Sequence, residues 1–334
     1  MSDTRSSSIP FRKVLLTGGS GFVGSWLTPA LRQLLPEAAL HVLTRHGEPF
    51  CQPGWAAIEA NLADPKAIAA VVESIKPDLI LHLAAQSSVA LSLNAEEETW
   101  RINLIGTFGL ASACARYAPD VTFIQVSTAE TYGTSFNEGP ADETTVCRPQ
   151  NVYARSKFAA ELMLADVLPS TARLIVVRPF NHTGPGQDRR FVLPSFAAQI
   201  AAIERGEQEP VLHVGNLSAQ RDFLDVRDVV AAYIAIVSNA DKLARRETLN
   251  IASGLAIPIE QLLQKLKTLA TRDFEIRIDP QRMRPSEIPV TVGYAQKLTA
   301  LTGWRPQFSI DETLATLLAY WRRQPDNIQP VKCS

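Results

Sequence analysis

The sequence predicts an α/β fold, a doubly wound parallel sheet of the Rossmann type with a smaller C-terminal α/β substrate lobe. In the first half, short apolar runs alternate with amphipathic helical patterns, which is the order of βαβ units. The runs are apolar nearly throughout, as in strands buried on both faces of a sheet. A glycine-rich turn joins the first run to the first helical pattern.

The elements follow in order along the chain. The strand-like runs of the first half are KVLLTG (13–18), LHVLT (40–44), LILHLAA (79–85), VTFIQVS (121–127) and RLIVVRPF (173–180). Helical patterns lie between them at 22–35, 65–75, 97–118 and 150–168. After a turn-rich loop, NHTGPGQDRR, we expect the helix LPSFAAQIAAIERG, a strand hairpin in PVLHVGNLSAQRDFLDV and a helix at 227–238. TLNIAS (248–253) reads as a strand returning to the main sheet, followed by a helix near 258–270, the segment FEIRIDP and a last helix at 310–323.

The 334 residues are enough for two domains, or for one large domain with a smaller lobe. We predict a flexible tail at 1–10, a dinucleotide-binding domain at 11–180 with return segments near 222–253, and a mainly substrate-binding lobe at 181–334.

Composition excludes several classes of protein. The net charge is −1, so no bulk field favours nucleic acid or an anionic membrane. There is no apolar run of about 18 residues and no signal-peptide core, and we therefore expect no membrane association. The four cysteines are scattered, without metal-ligand spacing, which predicts reduced thiols, a cytoplasmic location and no metal site.

The turn VLLTGGSGFVGSWL places Gly18, Gly21 and Gly24 three residues apart at the start of a helix. Glycine allows a tight turn, a close approach of a pyrophosphate and close packing of helix on strand, and the helix N-terminus favours the phosphates. This position predicts a dinucleotide site.

The second strand ends in LTRHG, without the carboxylate that binds the ribose 2′-hydroxyl of NAD. Arg45 could bind a 2′-phosphate, so we favour NADPH, with NADH as the alternative. Arg45 could also be a solvated loop charge.

NVYARSK places Tyr153 and Lys157 four residues apart, on one face of a predicted helix. A nearby lysine favours phenolate, so we expect a lowered pKa for Tyr153, which could then protonate a carbonyl oxygen. Ser127 and Thr128, at the end of the preceding strand, offer a hydroxyl to hold that oxygen.

These residues resemble those of the extended short-chain dehydrogenase/reductases, in the NAD-dependent epimerase/dehydratase group. The resemblance covers residues 12–325 and includes TGGSGFVG, LHLAAQSS, NLIGT, VSTAETYG and YARSK. It implies that Thr128, Tyr153 and Lys157 form the catalytic triad, with Tyr153 as proton donor, and that Tyr132 is structural. The cofactor-binding residues that it implies are Gly18, Ser20, Gly21, Phe22, Val23, Gly24, Arg45, Asn61, Leu62, Leu83, Ala84, Ala85, Tyr153, Lys157, Phe180 and His182.

The resemblance places an acid, Glu130, two residues after the triad hydroxyl. In the sugar-nucleotide dehydratases of this group, that acid removes the C5 proton of the sugar. The related reductases of GDP-4-dehydro-6-deoxy-mannose resemble this chain in carrying an acid at the same position, so Glu130 does not by itself decide between the two reactions. The loop NHTGPGQ is similar to the reductases, whereas the dehydratases have an NHESPRRG-like loop. The loop therefore favours a reductase.

The later segments fit a nucleotide-diphosphate ligand. Arg221 and Arg284 offer guanidinium groups for phosphate oxygens, and Asn181 follows the sixth strand, where ligands bind in such sheets. The resemblance adds Glu287 and Ser195 for the nucleoside. The full set of predicted substrate-binding residues is Gln86, Ser87, Thr128, Glu130, Asn181, Ser195, Arg221, Arg284 and Glu287.

The resemblance therefore implies reduction of the C4 keto group of GDP-4-dehydro-6-deoxy-D-mannose to GDP-D-rhamnose; the C4 epimer stays open. The alternatives are a GDP-mannose 4,6-dehydratase with Glu130 as base, a bifunctional enzyme and an NAD(P)-sensing regulatory protein. Helices 97–118 and 150–168 have small and apolar residues on more than one face. One face should pack on the sheet, and the resemblance implies that the other forms a homodimer interface in a four-helix bundle.

Overall fold

A computed structural model of the chain describes residues 10–282 and 288–324. The strands are β1 (Lys13–Thr17), β2 (Ala39–Thr44), β3 (Trp55–Glu59), β4 (Leu79–His82), β5 (Thr122–Val126), β6 (Arg173–Pro179), β7 (Asn181–Thr183), β8 (Val211–Val214), β9 (Gln220–Asp225), β10 (Arg246–Ile251), β11 (Ala256–Pro258), β12 (Glu275–Ile278) and β13 (Val290–Thr291). The α-helices are α1 (Phe22–Leu34), α2 (Pro65–Ile75), α3 (Val89–Ser92), α4 (Glu96–Trp100), α5 (Thr107–Tyr117), α6 (Val152–Val167), α7 (Val192–Arg205), α8 (Val226–Ser238), α9 (Ile259–Leu269), α10 (Gln296–Thr302) and α11 (Ile310–Arg322).

The described residues form two compact units. The first contains the described residues up to Val126, with Ala159–Val176 and Tyr233–Glu247. The second contains Ser127–Phe158, Val177–Ala232 and the described residues from Thr248 onward.

The first unit is built on a seven-stranded parallel sheet of order β10-β6-β5-β4-β1-β2-β3, which confirms the predicted fold class. The strand order reverses at β1, whose neighbours are β2 and β4. In sheets of this kind the crevice at such a reversal, beyond the carboxyl ends of the strands, receives ligands.

Burial explains why these runs form strands. In register across the sheet, Leu15 lies beside Ile80 and Ile80 beside Phe123. This row is fully buried in a hydrophobic cluster with side chains of α2, α5 and α6. The alternate residues Leu16 and Leu81 are also fully buried, so both faces of the sheet are covered, as predicted.

The second unit has its own small sheets and hydrophobic core. β9 lies between β11 and β13 and also pairs with β7, while β8 pairs with β12. Buried side chains of α7, α9 and α11 form a hydrophobic cluster with residues of β8 and β9.

The structure differs from the sequence predictions at several points. β3 was not predicted. The predicted helix 97–118 is interrupted by a π-helix at Arg101–Gly106. The predicted hairpin is wrong, because β8 and β9 pair with other strands and not with each other. The strand expected to return to the main sheet is confirmed as β10.

Cys114 and Cys147 are free, whereas Cys51 is disulfide-bonded. The prediction that all four cysteines are reduced is therefore wrong for Cys51. Because disulfides are rare in cytosolic proteins, the cytoplasmic location that rested on reduced thiols stays a prediction. None of the described helices is long and apolar enough to cross a membrane.

Candidate active site

The glycine turn of the first unit has the geometry that dinucleotide binding needs. Gly18 has φ +75°, and a Cβ there would lie 2.7 Å from the Ala84 nitrogen. A Cβ on Gly24 would lie 2.3 Å from the Gly18 carbonyl oxygen, so α1 packs on the turn without room for a side chain. Gly21 precedes α1 and gives no side-chain cap, and the positive end of the helix dipole at this terminus favours an anion.

The residue after β2 is engaged by a carboxylate. Arg45 donates to Glu48 through Nη2 at 3.1 Å, and this hydrogen bond and the charge of Glu48 raise the pKa of Arg45. Ser20, in the glycine turn, also hydrogen-bonds to Glu48. Sequence reasoning missed Glu48 because it lies four residues beyond Thr44, the expected end of the strand.

The segment after β4 is fixed by side chains. The Ala84 nitrogen donates to the Thr17 hydroxyl at 3.1 Å, and the Gln86 nitrogen donates to Asn103 Oδ1 at 2.8 Å. His82 is fully buried, with Nδ1 2.6 Å from the Thr17 hydroxyl and Nε2 2.9 Å from the Thr107 hydroxyl. Because the Thr107 hydroxyl donates to the Asn103 carbonyl, Nε2 of His82 carries the proton and Nδ1 accepts.

The other residues predicted from the first half follow β3 and β4. The carboxyl ends of parallel strands meet at one edge of a sheet, so the structure brings these segments to the edge that carries the glycine turn. The predicted cofactor- and substrate-binding residues of the first unit are Gly18, Ser20, Gly21, Phe22, Val23, Gly24, Arg45, Asn61, Leu62, Leu83, Ala84, Ala85, Gln86 and Ser87.

The predicted triad lies in the second unit. Thr128 precedes a 3-10 turn at Ala129–Tyr132, and its hydroxyl accepts from the Glu130 nitrogen at 3.2 Å. Tyr153 makes a side-chain hydrogen bond with Thr128. Lys157, one helical turn after Tyr153 on α6, is only 2% exposed. The hydroxyl and the phenol are therefore in direct contact, as the proposed chemistry requires.

The predicted lowering of the pKa of Tyr153 is corrected. Burial raises the pKa of this phenol to about 12, the hydrogen bond with Thr128 opposes the rise, and the charge of Glu130 adds to it. The phenol is therefore protonated at neutral pH and in the form that donates a proton.

Glu130 interacts with two polar groups of the second unit, Arg221 through charge and Asn151 through a hydrogen bond. Burial raises the pKa of its carboxyl, while the nearby Arg221 guanidinium and a hydrogen bond with Asn151 lower it. Asn151 also accepts from the Ala154 nitrogen at 2.8 Å, at the start of α6. The position of Asn151 directly before α6 could have predicted that it caps the helix. No sequence pattern predicts its contact with Glu130, 21 positions earlier in the chain.

The predicted substrate residues of the second unit lie on neighbouring elements. Arg221 is on β9, where burial lowers its pKa and the charge of Glu130 raises it. Asn181 is on β7, which pairs with β9. The Ser195 hydroxyl, in the first turns of α7, accepts from Arg282 at 3.3 Å.

Two predicted cofactor residues follow β6, Phe180 directly after the strand and His182 on β7. Phe180 is buried and stacks on Tyr132, with ring centroids 6.4 Å apart. Nδ1 of His182 lies 2.9 Å from the Phe180 carbonyl oxygen, and burial lowers the pKa of His182. The ring is therefore neutral, with Nδ1 donating.

Arg284 and Glu287, predicted to bind the nucleotide, lie outside the described residues. Within the described ranges, no group of three or more His, Cys, Asp or Glu side chains could hold a metal ion.

Comparisons with known proteins agree with this geometry. The family model described as GDP-mannose 4,6 dehydratase matches residues 15–317. The chain is 35% identical to the GDP-6-deoxy-D-mannose reductase of Pseudomonas aeruginosa, across 93% of this chain and 97% of that protein. It is 30% identical to the GDP-6-deoxy-D-talose 4-dehydrogenase of Aggregatibacter actinomycetemcomitans, across 87% of this chain and 91% of that protein. The solved structure of RMD from Pseudomonas aeruginosa complexed with NADPH matches with a TM-score of 0.77 at 33% identity, covering 93% of this chain and 99% of that one. The chain therefore belongs to the GDP-mannose 4,6 dehydratase family.

Proposed function

We propose that the protein is an NADPH-dependent sugar-nucleotide reductase, which reduces the C4 keto group of GDP-4-dehydro-6-deoxy-D-mannose to GDP-D-rhamnose. The observation that carries the proposal is the hydrogen bond between the Thr128 hydroxyl and the protonated, buried phenol of Tyr153. A donor and an orienting hydroxyl in contact suit protonation of a ketone oxygen. The similarity to the Pseudomonas aeruginosa reductase supports the choice of substrate.

The first unit fits a dinucleotide, because the glycine turn leaves no room for a Cβ at Gly18 or Gly24. The N–H groups at the start of α1 would hold the pyrophosphate, and Arg45 would hold a 2′-phosphate. When bound, NADPH supplies the hydride that reaches C4 of the sugar.

In the proposed reaction Tyr153 gives its proton to the C4 oxygen, and Thr128 orients that oxygen by a hydrogen bond. Lys157 is placed to bind the nicotinamide ribose and to stabilise the phenolate that remains after transfer. Tyr153 and Lys157 lie on consecutive turns of α6, so the helix fixes the distance between their side chains.

The second unit would bind the sugar nucleotide. Arg221 and Asn181 lie on paired strands and offer donors for diphosphate oxygens, while the Glu130 carboxylate would accept from a sugar hydroxyl. Ser195 borders the proposed nucleoside site, and Arg284 and Glu287 remain proposed nucleotide contacts.

The decisive experiment is mass-resolved product analysis after incubation of the keto-sugar nucleotide with NADPH and, separately, NADH. We expect a product two mass units heavier than the substrate, with sugar analysis showing rhamnose rather than its C4 epimer. Tyr153→Phe should lower kcat by about 10²–10⁴-fold, the usual contribution of a general acid, while NADPH still binds. Wild-type activity that survives this substitution undiminished would favour an NAD(P)-sensing role with adventitious turnover.

A second candidate is GDP-mannose 4,6-dehydration, favoured by the presence of Glu130 beside the triad and by the family to which the chain belongs. There Glu130 would remove the C5 proton as a carboxylate. Incubation with GDP-mannose and catalytic NADP⁺ distinguishes the two, because a dehydratase forms the keto-sugar without net consumption of cofactor. Formation of both the keto-sugar and, with NADPH, the rhamnose product would indicate a bifunctional enzyme.

We also propose that two copies associate through α5 and α6 in a four-helix bundle. Phe108 on α5 is 46% exposed and Leu162 on α6 is 57% exposed, although both helices bury their other faces in the same hydrophobic cluster. Two large apolar side chains left exposed on these helices fit a surface that a partner copy covers.

A further inference from the structure

Asn151 bridges the two segments that carry the predicted catalytic side chains of the second unit. We propose that Asn151 is a positioning residue of the active site, which caps α6 with its carbonyl oxygen and holds the Glu130 carboxylate with its amide. The inference deepens the proposed function, because it assigns to a residue outside the predicted site the placement of Glu130 relative to Tyr153.

The contact with α6 is that of an N-terminal cap. Asn151 Oδ1 accepts from the Ala154 nitrogen at 2.8 Å, and its backbone carbonyl accepts from the Arg155 nitrogen at 2.9 Å. The side chain thus satisfies one of the N–H groups that lack a partner at the start of a helix. Tyr153 lies two residues further along α6, so the cap fixes the first turn, which carries the phenol.

The contact with Glu130 uses the other half of the amide. Because Oδ1 already accepts from the backbone, the group that donates to the Glu130 carboxylate is the Nδ2 amide N–H. Glu130 lies in the 3-10 turn that Thr128 begins, so one side chain links that turn to α6.

Charged and titratable groups face Glu130 from two other elements. Arg221 approaches from β9, and its charge favours the carboxylate form. Tyr153 approaches from α6, and the charge of Glu130 raises the pKa of its phenol. Burial raises the pKa of Glu130 and so favours its neutral form, whereas the charge of Arg221 and the hydrogen bond from Asn151 lower the pKa and favour the carboxylate.

Few side chains can do both tasks. A serine at position 151 could accept from the Ala154 nitrogen but is too short to reach Glu130 as well. An aspartate could cap the helix equally well, yet it has no donor and would place a second negative charge beside Glu130. Asn151→Ser and Asn151→Asp therefore keep the cap and remove the contact with Glu130.

The test is a pH titration of Glu130 by ¹³C NMR in protein labelled at the glutamate carboxyl carbons, with Glu130→Gln to assign the signal. Loss of one hydrogen bond to a charged group changes an ionisation equilibrium about tenfold, so Asn151→Ser should raise the pKa of Glu130 by about one pH unit. Asn151→Asp should raise it further. The melting temperature should stay near that of the wild type, because all three side chains cap helices well.

Ser309→Ala is the matched control. Ser309 caps α11 in the same unit by accepting from the Glu312 nitrogen at 3.2 Å, so its loss should lower the melting temperature without moving the Glu130 titration. A Glu130 titration unchanged within error in both Asn151 variants overturns the inference.

Activity separates this inference from the proposed function. With the keto-sugar nucleotide as substrate, the acid limb of kcat/KM should move to higher pH in the Asn151 variants by the same amount as the Glu130 titration, and Glu130→Gln should lack that limb. An acid limb that stays in place while Glu130 titrates differently overturns the positioning role. A wild-type protein that does not reduce the keto-sugar refutes the proposed function, whereas the ligand-free titration still tests the contact of Asn151 with Glu130.

Discussion

At the scale of single residues, the charge state of the catalytic side chains follows from burial more than from their neighbours. Tyr153 is 9% exposed, and its buried environment raises the pKa of the phenol despite a hydrogen bond with Thr128. A cationic lysine one turn away was the feature visible in the sequence, and it predicted a lowered pKa instead of a raised one. Local patterns show which groups are neighbours, but desolvation depends on the whole packed structure.

Two buried tyrosines should make the stability of the protein fall at high pH. Burial raises the pKa of Tyr153 and of Tyr132 to about 12, whereas the unfolded chain ionises near pH 10. The resulting stability is fully present below pH 10 and is lost as the pH rises from 10 to 12, by about 1.4 kcal/mol per pH unit for each group. Urea unfolding at pH 8, 10 and 11 measures this loss.

The loss should be smaller in Tyr153→Phe, because phenylalanine does not ionise. Tyr294→Phe is the control, since Tyr294 is 42% exposed. Equal slopes of stability against pH in the wild type and Tyr153→Phe would contradict the assignment of the loss to this phenol.

Arg45 should decide the preference for NADPH. Its side chain is 84% exposed and is held beside the glycine turn by Glu48, which also hydrogen-bonds to Ser20. A charged hydrogen bond to a 2′-phosphate contributes about 1.5–3 kcal/mol, so Arg45→Ala should raise the KM for NADPH by roughly tenfold or more and leave the KM for NADH unchanged. Steady-state kinetics with both cofactors measure the effect.

Arg116→Ala is a suitable control for this experiment. Arg116 is exposed in the last turn of α5, which leads to the start of β5 and therefore to the opposite edge of the sheet. If Arg45→Ala and Arg116→Ala give the same KM for NADPH, Arg45 does not bind the 2′-phosphate.

At the scale of helices and strands, the sequence predicts what repeats locally and misses what depends on distant partners. The strands β1, β4 and β5 are mostly apolar, are buried along nearly their whole length and were predicted. β3 has an exposed, alanine-rich pattern at the edge of the sheet and was not predicted. The hairpin prediction failed because β8 and β9 are close in sequence but pair with strands that are distant along the chain, β8 with β12 and β9 with β7, β11 and β13.

The π-helix at Arg101–Gly106 shows the same dependence on tertiary contacts. It carries Asn103, whose side chain accepts from the Gln86 nitrogen and donates to the Gln86 carbonyl oxygen at 3.1 Å. The periodicity of residues 97–118 could not predict this interruption, because the partner lies in the segment after β4. Most of the fold was thus predictable, whereas the contacts that support the candidate site were not.

The packing of α1 on the glycine turn should be intolerant of even one methyl group. In Gly24→Ala the Cβ would lie 2.3 Å from the Gly18 carbonyl oxygen, so α1 must move away from the turn. We expect a loss of about 1–3 kcal/mol in unfolding free energy and weaker NADPH binding, measured by urea unfolding and by titration of cofactor fluorescence.

Gly109→Ala is the matched control, because Gly109 is also a buried helical glycine of the first unit. Its Cβ would meet nothing closer than 3.7 Å, so the substitution should be neutral or stabilising by up to about 1 kcal/mol. A Gly24→Ala protein that behaves like Gly109→Ala would show that the turn is not tightly packed.

At the scale of the whole molecule, both units share helix α6. Its first turns, with Tyr153 and Lys157, belong to the second unit, and the part from Ala159 onward belongs to the first. The same helix therefore carries the proposed proton donor near its start and, at Leu162, an exposed apolar side chain that we place in the dimer interface.

That interface predicts the oligomeric state and the substitutions that change it. The wild type should be a dimer at micromolar concentration by light scattering coupled to size exclusion. Phe108→Glu and Leu162→Glu would each place a charge on an apolar surface that the partner copy buries, so both should shift the equilibrium toward monomer. Leu255→Glu is the control: Leu255 is 65% exposed in the second unit, and its substitution should leave the dimer intact. A wild type that is monomeric, or a dimer that Phe108→Glu and Leu162→Glu leave intact, would refute an interface formed by α5 and α6.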